Sequence, residues 1–267
     1  MKDYIKEIIR KDLSSNDNKN LIREYLQKYL LYVLYKKKIY KNLVFCGGTA
    51  LRFLYKIRRF SEDLDFSLSY KAKGHNFENI LKLIKEEFKL AGYRIEIKYS
   101  IKKGIHNAFL KFLGLLFEYG LSSQENEKLS IKIEIDTNPP RGGKEELTLY
   151  NSTFMFYLLH YDLASLFAGK LHSLFSRKYT KGRDWYDLLW YLTKFKDLQP
   201  NFVMLNNALC QTSKYFVQIT EENWKKRLKE LINDLDISRV RDDILPFLEA
   251  PEELELLTKE NLYKLLD

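Results

Sequence analysis

Leu43-Val44-Phe45-Cys46 runs directly into Gly47-Gly48-Thr49-Ala50-Leu51, and after a short basic segment the chain reads Arg59-Phe60-Ser61-Glu62-Asp63-Leu64-Asp65-Phe66. Four consecutive apolar residues ahead of a glycine pair read as a short strand. A glycine pair at a strand end lets backbone approach a ligand closely. Residues 49–56 then read as a short helix, whose free N–H groups and positive dipole end favour an anion. Asp63 and Asp65, two apart in the next strand, share one face. One strand–turn–helix–strand unit thus offers a phosphate cradle beside paired carboxylates. Magnesium takes hard oxygen ligands, often one or two carboxylates completed by substrate phosphates. Two such ions can clamp an in-line displacement at phosphorus. A glycine pair alone is ordinarily a turn, and an Asp-x-Asp alone a solvated strand end or a cap. Their order and separation point to nucleotide chemistry.

These residues resemble the AbiEii/AbiGii-type toxin nucleotidyltransferases, members of the polymerase-β-like superfamily with its pattern of Gly-Gly or Gly-Ser, a helix, then Asp-x-Asp. The tight match covers residues 43–68, a looser one extends to about residue 195, and no family signature is visible beyond it. The resemblance implies an α+β fold: a polymerase-β-like mixed sheet flanked by helices over residues 1–145, then a mainly helical C-terminal domain over 146–267. It implies transfer of a nucleoside monophosphate from a nucleoside triphosphate. Mg2+ or Mn2+ would sit on Asp63, Asp65 and a third carboxylate from a neighbouring strand. Glu134, in Ile131-Lys132-Ile133-Glu134-Ile135, resembles the family's Lys-x-Glu/Asp element, and Asp136 is the other candidate on the same face. Gly47, Gly48 and Thr49, with Arg59 and Ser61, would bind the nucleotide.

Further along, Ala168-Gly169-Lys170 and Arg183-Asp184-x-x-Asp187-Leu188 resemble the family's downstream motifs. The match gives Lys170 a place in nucleotide binding and catalysis, and it leaves open which of Asp184 and Asp187 is the functional acid. Lysine can balance triphosphate charge, and an aspartate can orient a base or ribose, or receive a proton from the attacking group. More ordinary roles compete: Asp184 as an N-cap and Asp187 as a partner of Arg183. The resemblance also implies a toxin of a toxin–antitoxin or abortive-infection pair, with a cognate antitoxin and with RNA, especially the tRNA 3′ end, as acceptor.

Composition sets the outer bounds. The 267 residues, 45% hydrophobic and 15% aromatic, describe a globular chain able to bury a core. A formal charge of +9 favours a polyanionic partner, although much of the excess is lysine in a chain also rich in Ile, Asn and Tyr. Two cysteines, Cys46 and Cys210, support neither a zinc site nor a disulfide framework, and both are expected to be reduced core residues. The mixed-charge start lacks a signal-peptide block, and no apolar run reaches membrane-spanning length. The expectation is a cytoplasmic protein with no membrane partner.

Around the motif, helices are expected over 2–12, 21–37 and 76–91, the last stopped by Gly92. Ser14-Ser15-Asn16-Asp17-Asn18 reads as a turn with N-cap candidates, and Lys36-Lys37-Lys38 as a solvated helix end or a phosphate contact. Residues 93–101, 108–119 and 129–136 read as an antiparallel extension of the sheet, which Pro139-Pro140-Arg141-Gly142-Gly143 breaks. A helix over 161–181 would carry a basic stripe of Lys170, Arg177 and Lys181 and end at Gly182. From 201 onward the pattern is helical. Trp224-Lys225-Lys226-Arg227-Leu228-Lys229 is a candidate polyanion contact or an amphipathic helix. His172 reads as structural, and His75, His106 and His160 do not cluster with it. Two rival functions share this fold: a non-catalytic nucleic-acid- or partner-binding module, and a kinase-like phosphoryl transferase. The absence of Gly-x-x-x-x-Gly-Lys-Ser/Thr argues against a P-loop enzyme.

Overall fold

In the computed structural model all residues are described except Met1, Lys73, Lys214 and Phe216. The chain divides into two units. The first takes Met1–Tyr55, Phe60–Pro139 and Glu145–His160, and the second Lys56–Arg59, Pro140–Lys144 and Tyr161–Asp267.

The first unit opens with helices α1 (Asp3–Ile8) and α2 (Ser15–Lys36), then β1 (Leu43–Cys46), α3 (Gly47–Tyr55), β2 (Asp63–Leu68) and α4 (Phe77–Leu90). Strands β3 (Ile95–Lys102) and β4 (Ile105–Phe112), the helical turn α5 (Leu115–Glu118), and strands β5 (Leu129–Asp136), β6 (Glu145–Asn151) and β7 (Met155–Tyr161) follow, the last residue of β7 falling in the second unit. The seven strands form one mixed sheet in the order β3-β4-β5-β2-β1-β7-β6. β3, β4 and β5 pair antiparallel, as their alternation predicts. β5 lies parallel to β2, β2 antiparallel to β1, and β1 parallel to β7. On one face α2 packs against β5, α4 against β3, and α3 against β1 and β2. Phe45, Phe53 and Phe66 meet in that core, the Phe53 ring centroid 6.3 Å and the Phe66 centroid 5.4 Å from that of Phe45.

Several local expectations shift. The α2 helix starts six residues before 21, because Ser14 is its N-cap, accepting from the Asp17 N–H at 3.1 Å. The strand expected over 108–119 ends at Phe112, and the apolar residues after Gly114 make a helical turn. Lys36 and Lys37 at the end of α2 both pair with Glu87, at 2.9 and 2.8 Å. The hairpin β6–β7 follows the proline break and carries the sheet unit past residue 145. Leu147, Leu149, Met155 and Tyr157 in this hairpin are exposed, so its pattern gives no core signal of the ordinary kind.

The second unit holds α6 (Leu163–Ser176), α7 (Gly182–Lys194), α8 (Phe202–Thr212), α9 (Trp224–Asn233), α10 (Ile237–Ile244) and α11 (Lys259–Leu266). Asp162 caps α6 by accepting from the Ser165 N–H at 2.8 Å. The helix stops at Ser176, so the expected basic stripe breaks up. Lys170 lies within α6, Arg177 follows its end, and Lys181 precedes α7. Trp224 is buried edge-on against Phe167, which makes it core rather than a polyanion contact. Of the cysteines, Cys46 is half-buried and Cys210 is exposed, not core.

Gly182 opens α7 instead of ending α6. Its N–H donates to Asp243 at 2.7 Å, and a Cβ there would collide with the Val240 carbonyl of α10. Gly182→Ala is therefore expected to lower stability by about 1–3 kcal/mol, the usual cost of overpacking, measured by urea denaturation of the full chain. Unchanged stability would mean that α7 and α10 are not packed this closely.

Candidate active site

The first constellation lies wholly in the sheet unit. Gly47 follows β1 directly and opens α3 with φ 74°, in the left-handed region that favours glycine. The space its missing side chain leaves is filled by the carboxylate of Asp65, with which any Cβ at position 47 would collide. Asp65 stands opposite Cys46 across β1 and β2. Thr49, fully buried in the first turn of α3, donates its hydroxyl to the Asp63 carbonyl. The glycine turn and the Asp-x-Asp strand are thereby fixed to each other twice. Thr49 was expected to position phosphates, but its side chain is committed to this internal bond. The Ser61 carbonyl accepts from Gln27 at 3.0 Å, which anchors the approach to β2.

The parallel pairing of β2 with β5 sets Asp63 beside Lys132, Asp65 beside Glu134 and Ser67 beside Asp136. Leu64 and Phe66 are buried, whereas Asp63 and Asp65 are half-buried, as period-2 alternation requires. Register favours Glu134 over Asp136 as the third carboxylate. Asp136 lies one pair further along and accepts from the Asn138 N–H at 2.9 Å, capping the turn after β5. Burial, with some help from Glu134, holds the Asp136 carboxyl above the usual aspartate range.

The acid row already has one cation. The Lys132 ammonium lies 2.5 Å from Glu134. Burial would lower its pKa, but Glu134, then Asp63 and Asp65, outweigh this and hold it above the ordinary lysine value. Across the strand, the Cys46 thiol is pushed strongly upward, chiefly by burial and then by Asp65. Asp63, Asp65 and Glu134, with Lys132 among them, set hard carboxylate oxygens on one face of the sheet, the donor type a divalent cation prefers. Among the described residues no three His, Cys, Asp or Glu side chains are grouped closely enough to cage a metal. The fit is to a hard divalent ion held by two carboxylates and completed by substrate phosphate oxygens, the usual manner of Mg2+.

The second constellation lies wholly in the helical unit. Arg59 meets Asp187 through two hydrogen bonds, Nε to Oδ1 at 2.5 Å and Nη2 to Oδ2 at 2.6 Å. Arg59 is 1% exposed and Asp187 0%. Lys170 lies 2.6 Å from Asp187 and 3.2 Å from Asp184, and Arg177 lies 2.5 Å from Asp184. For the Asp187 carboxyl, burial acts upward, but Arg59 and Lys170 overcome it and hold the group below the ordinary range. For Lys170, burial acts downward, and Asp187 and Asp184 overcome it. In this closed lattice Arg59, expected among the nucleotide contacts, is the buried partner of Asp187, and Asp187, one of the two candidate acids, is held in its charged form by Arg59 and Lys170. Asp187 does not pair with Arg183, whose guanidinium stacks 4.3 Å from the Phe247 ring centre. Arg177, which brackets Asp184 from the other side, is the member of this lattice that helix periodicity put on the wrong element.

The histidines behave as structural groups. His172 meets the Thr212 hydroxyl at 3.0 Å, and His160 meets Thr148 at 2.8 Å. His75 and His106 face each other at 3.1 Å, a contact with no signal in sequence spacing.

A mixed sheet with a glycine turn seated on an Asp-x-Asp strand is the arrangement of a nucleotidyltransferase. The sequence profile described as "Nucleotidyl transferase AbiEii toxin, Type IV TA system" matches residues 29–259, and the chain belongs to this family of toxin nucleotidyltransferases. Two Helicobacter pylori crystal structures share the fold. One is of a protein described as a nucleotidyltransferase (19% identity, TM-score 0.56, 90% of this chain and 91% of that one). The other is of JHP933 (19% identity, TM-score 0.56, 91% and 90%). No curated protein matches the sequence. Among the described residues no helix is long and apolar enough to cross a membrane.

Removing one partner of a buried ion pair strands the other, at about 3–5 kcal/mol. Asp187→Asn is expected to lose an amount of that order near neutral pH. Because the folded-state pKa of Asp187 is depressed, its contribution is complete above the unfolded aspartate value and fades as pH falls through the folded one. Wild type and variant should therefore converge in strong acid, below the ordinary aspartate range. Equal stability at neutral pH in denaturant titrations would show that the lattice carries no such load.

Proposed function

We propose that the protein transfers a nucleoside monophosphate from a nucleoside triphosphate to an RNA acceptor, the 3′ end of tRNA being the acceptor class the family suggests. In this reading a cytoplasmic toxin is restrained by a cognate antitoxin. The observation that carries it is the Asp65 carboxylate seated against Gly47, with Glu134 beside it. Backbone at Gly47 and Gly48 can approach a triphosphate closely, and the α3 N-terminus favours its charge.

Asp63 and Asp65 are the two carboxylates that would hold Mg2+ or Mn2+, and Glu134, beside Asp65 in register, is the candidate to join them once substrate phosphates complete the site. When bound, such an ion neutralises phosphate charge and polarises the phosphoryl oxygens. The acceptor hydroxyl attacks the α-phosphorus as its proton passes to solvent, the bond from that phosphorus to the α,β-bridging oxygen breaks, and pyrophosphate leaves. The chain contributes positioning and a preset field rather than covalent chemistry. Lys132 tempers the repulsion within the acid row. Lys170, Asp184, Asp187 and Arg59, locked in mutual ion pairs, serve as positioning residues that act through the helices they join.

The test is transfer of label from each of four α-labelled nucleoside triphosphates to total tRNA. Wild type should label RNA and lose the activity in chelator. Asp63→Asn and Asp65→Asn should each fall by about a hundredfold or more. Gly47→Ala should fall comparably, because its Cβ displaces Asp65. Label transfer from the γ-position instead would make the protein a phosphoryl transferase. Wild type and Asp65→Asn sharing the same blank result with all four nucleotides would leave only a binding module.

A further inference from the structure

The sheet face that carries Asp63, Asp65 and Glu134 continues across β4 and β3, and there its chemistry changes. In register, Glu134 stands beside Asn107, Lys132 beside Phe109 and Asp136 beside Ile105. One strand further, Phe109 stands beside Lys98, Ile105 beside Lys102 and Lys111 beside Glu96. Alternation buries Ala108, Leu110 and Phe112 on the helix-covered face. It leaves Ile105, Asn107, Phe109 and Lys111 on the face of the acid row. Phe109 is 41% exposed and Ile105 45%. A phenyl ring with this exposure, next to cations, adds little to the core. Lys98 and Lys102 are exposed and, like Lys111, make no ion pair among the described residues. The single acid between them, Glu96, is paired with Lys128 at 3.0 Å. One face thus has an acidic half that wants a cation and a basic, aromatic half that suits an anion with flat rings.

We propose that the β3–β4 half of this face is the platform on which the single-stranded end of the RNA acceptor docks. A base stacks on Phe109, backbone phosphates run along Lys98, Lys102 and Lys111, and Asn107 is the polar group between the stack and Glu134. Stacking on an exposed aromatic set among cations is how proteins hold single strands without strict sequence preference. A duplex hides its base faces and would not use Phe109. An acidic peptide would use the lysines but would not need the ring. The proposal rests on the nucleotidyl-transfer reading for its purpose, but the binding it describes is measurable without any transfer.

The experiment is fluorescence anisotropy of the full chain with a labelled single-stranded RNA oligonucleotide carrying a free 3′ hydroxyl, in chelator, over a range of salt. Wild type should bind, and Phe109→Ala should weaken binding about tenfold while leaving the melting temperature unchanged. Phe109→Tyr should retain affinity. Lys98→Ala with Lys102→Ala should flatten the dependence of log K on log salt. A blunt RNA duplex should bind more weakly and be indifferent to Phe109→Ala. Single-strand affinity in Phe109→Ala equal to wild type would overturn the platform, as would a Tyr variant as weak as the Ala variant. The two readings fail separately. Nucleotide transfer that persists with no single-strand binding sinks the platform alone. Phe109-dependent binding with no transfer in any label assay sinks the transfer reading alone.

Discussion

The carboxylate of Asp65 fills the space that a side chain at position 47 would need. That single exclusion fixes much of the sheet unit. It demands glycine at the end of β1, holds the start of α3 against β2, and directs an acid toward the turn where backbone can meet a phosphate. The bond from Thr49 to the Asp63 carbonyl repeats the constraint from the other side. β2 sits between β1 and β5, so the same strand that meets the glycine turn also receives Glu134 in parallel register. Two strands far apart in sequence, β2 and β5, thus build one acid row beside the glycine turn.

Charge is handled differently in the two units. In the sheet unit Lys132 sits within the acid row, and burial, then Asp65, pushes the neighbouring Cys46 thiol upward. In the helical unit the acids and bases are closed on each other, Arg59 and Lys170 on Asp187, Lys170 and Arg177 on Asp184. A row of half-buried carboxylates at a glycine turn suits a site that takes up a cation and a polyphosphate. A closed lattice of buried pairs suits residues that set geometry, because removing any one partner strands the others.

The motif was legible because its chemistry is local: an apolar strand, a glycine bend and two acids two residues apart occur within one short stretch. Glu134 and Asp136 could be nominated from alternation, but choosing between them needed the strand register, which no local pattern fixes. The pairing of Arg59 with Asp187 is not legible in the sequence, because the two are 128 positions apart and a sequence shows a charge without its counter-charge. The end of α6 was overrun because residues 177–181 continue a plausible helical pattern. There Gly182 reads as a stop, although it is needed for close approach to α10. The β6–β7 hairpin escaped because several of its large apolar side chains face away from the helix-covered core.

The central claim is that Asp65, placed by Gly47, takes up a divalent cation together with a triphosphate. It is tested most directly by Mn2+ titration followed by electron paramagnetic resonance, with a nucleoside triphosphate analogue that cannot be cleaved between its α- and β-phosphates. The account predicts that wild-type protein removes free Mn2+ signal in a nucleotide-dependent way, and that Asp65→Asn does not, even though its melting temperature is preserved. Equal Mn2+ uptake by the two proteins, or uptake indifferent to nucleotide, would contradict it.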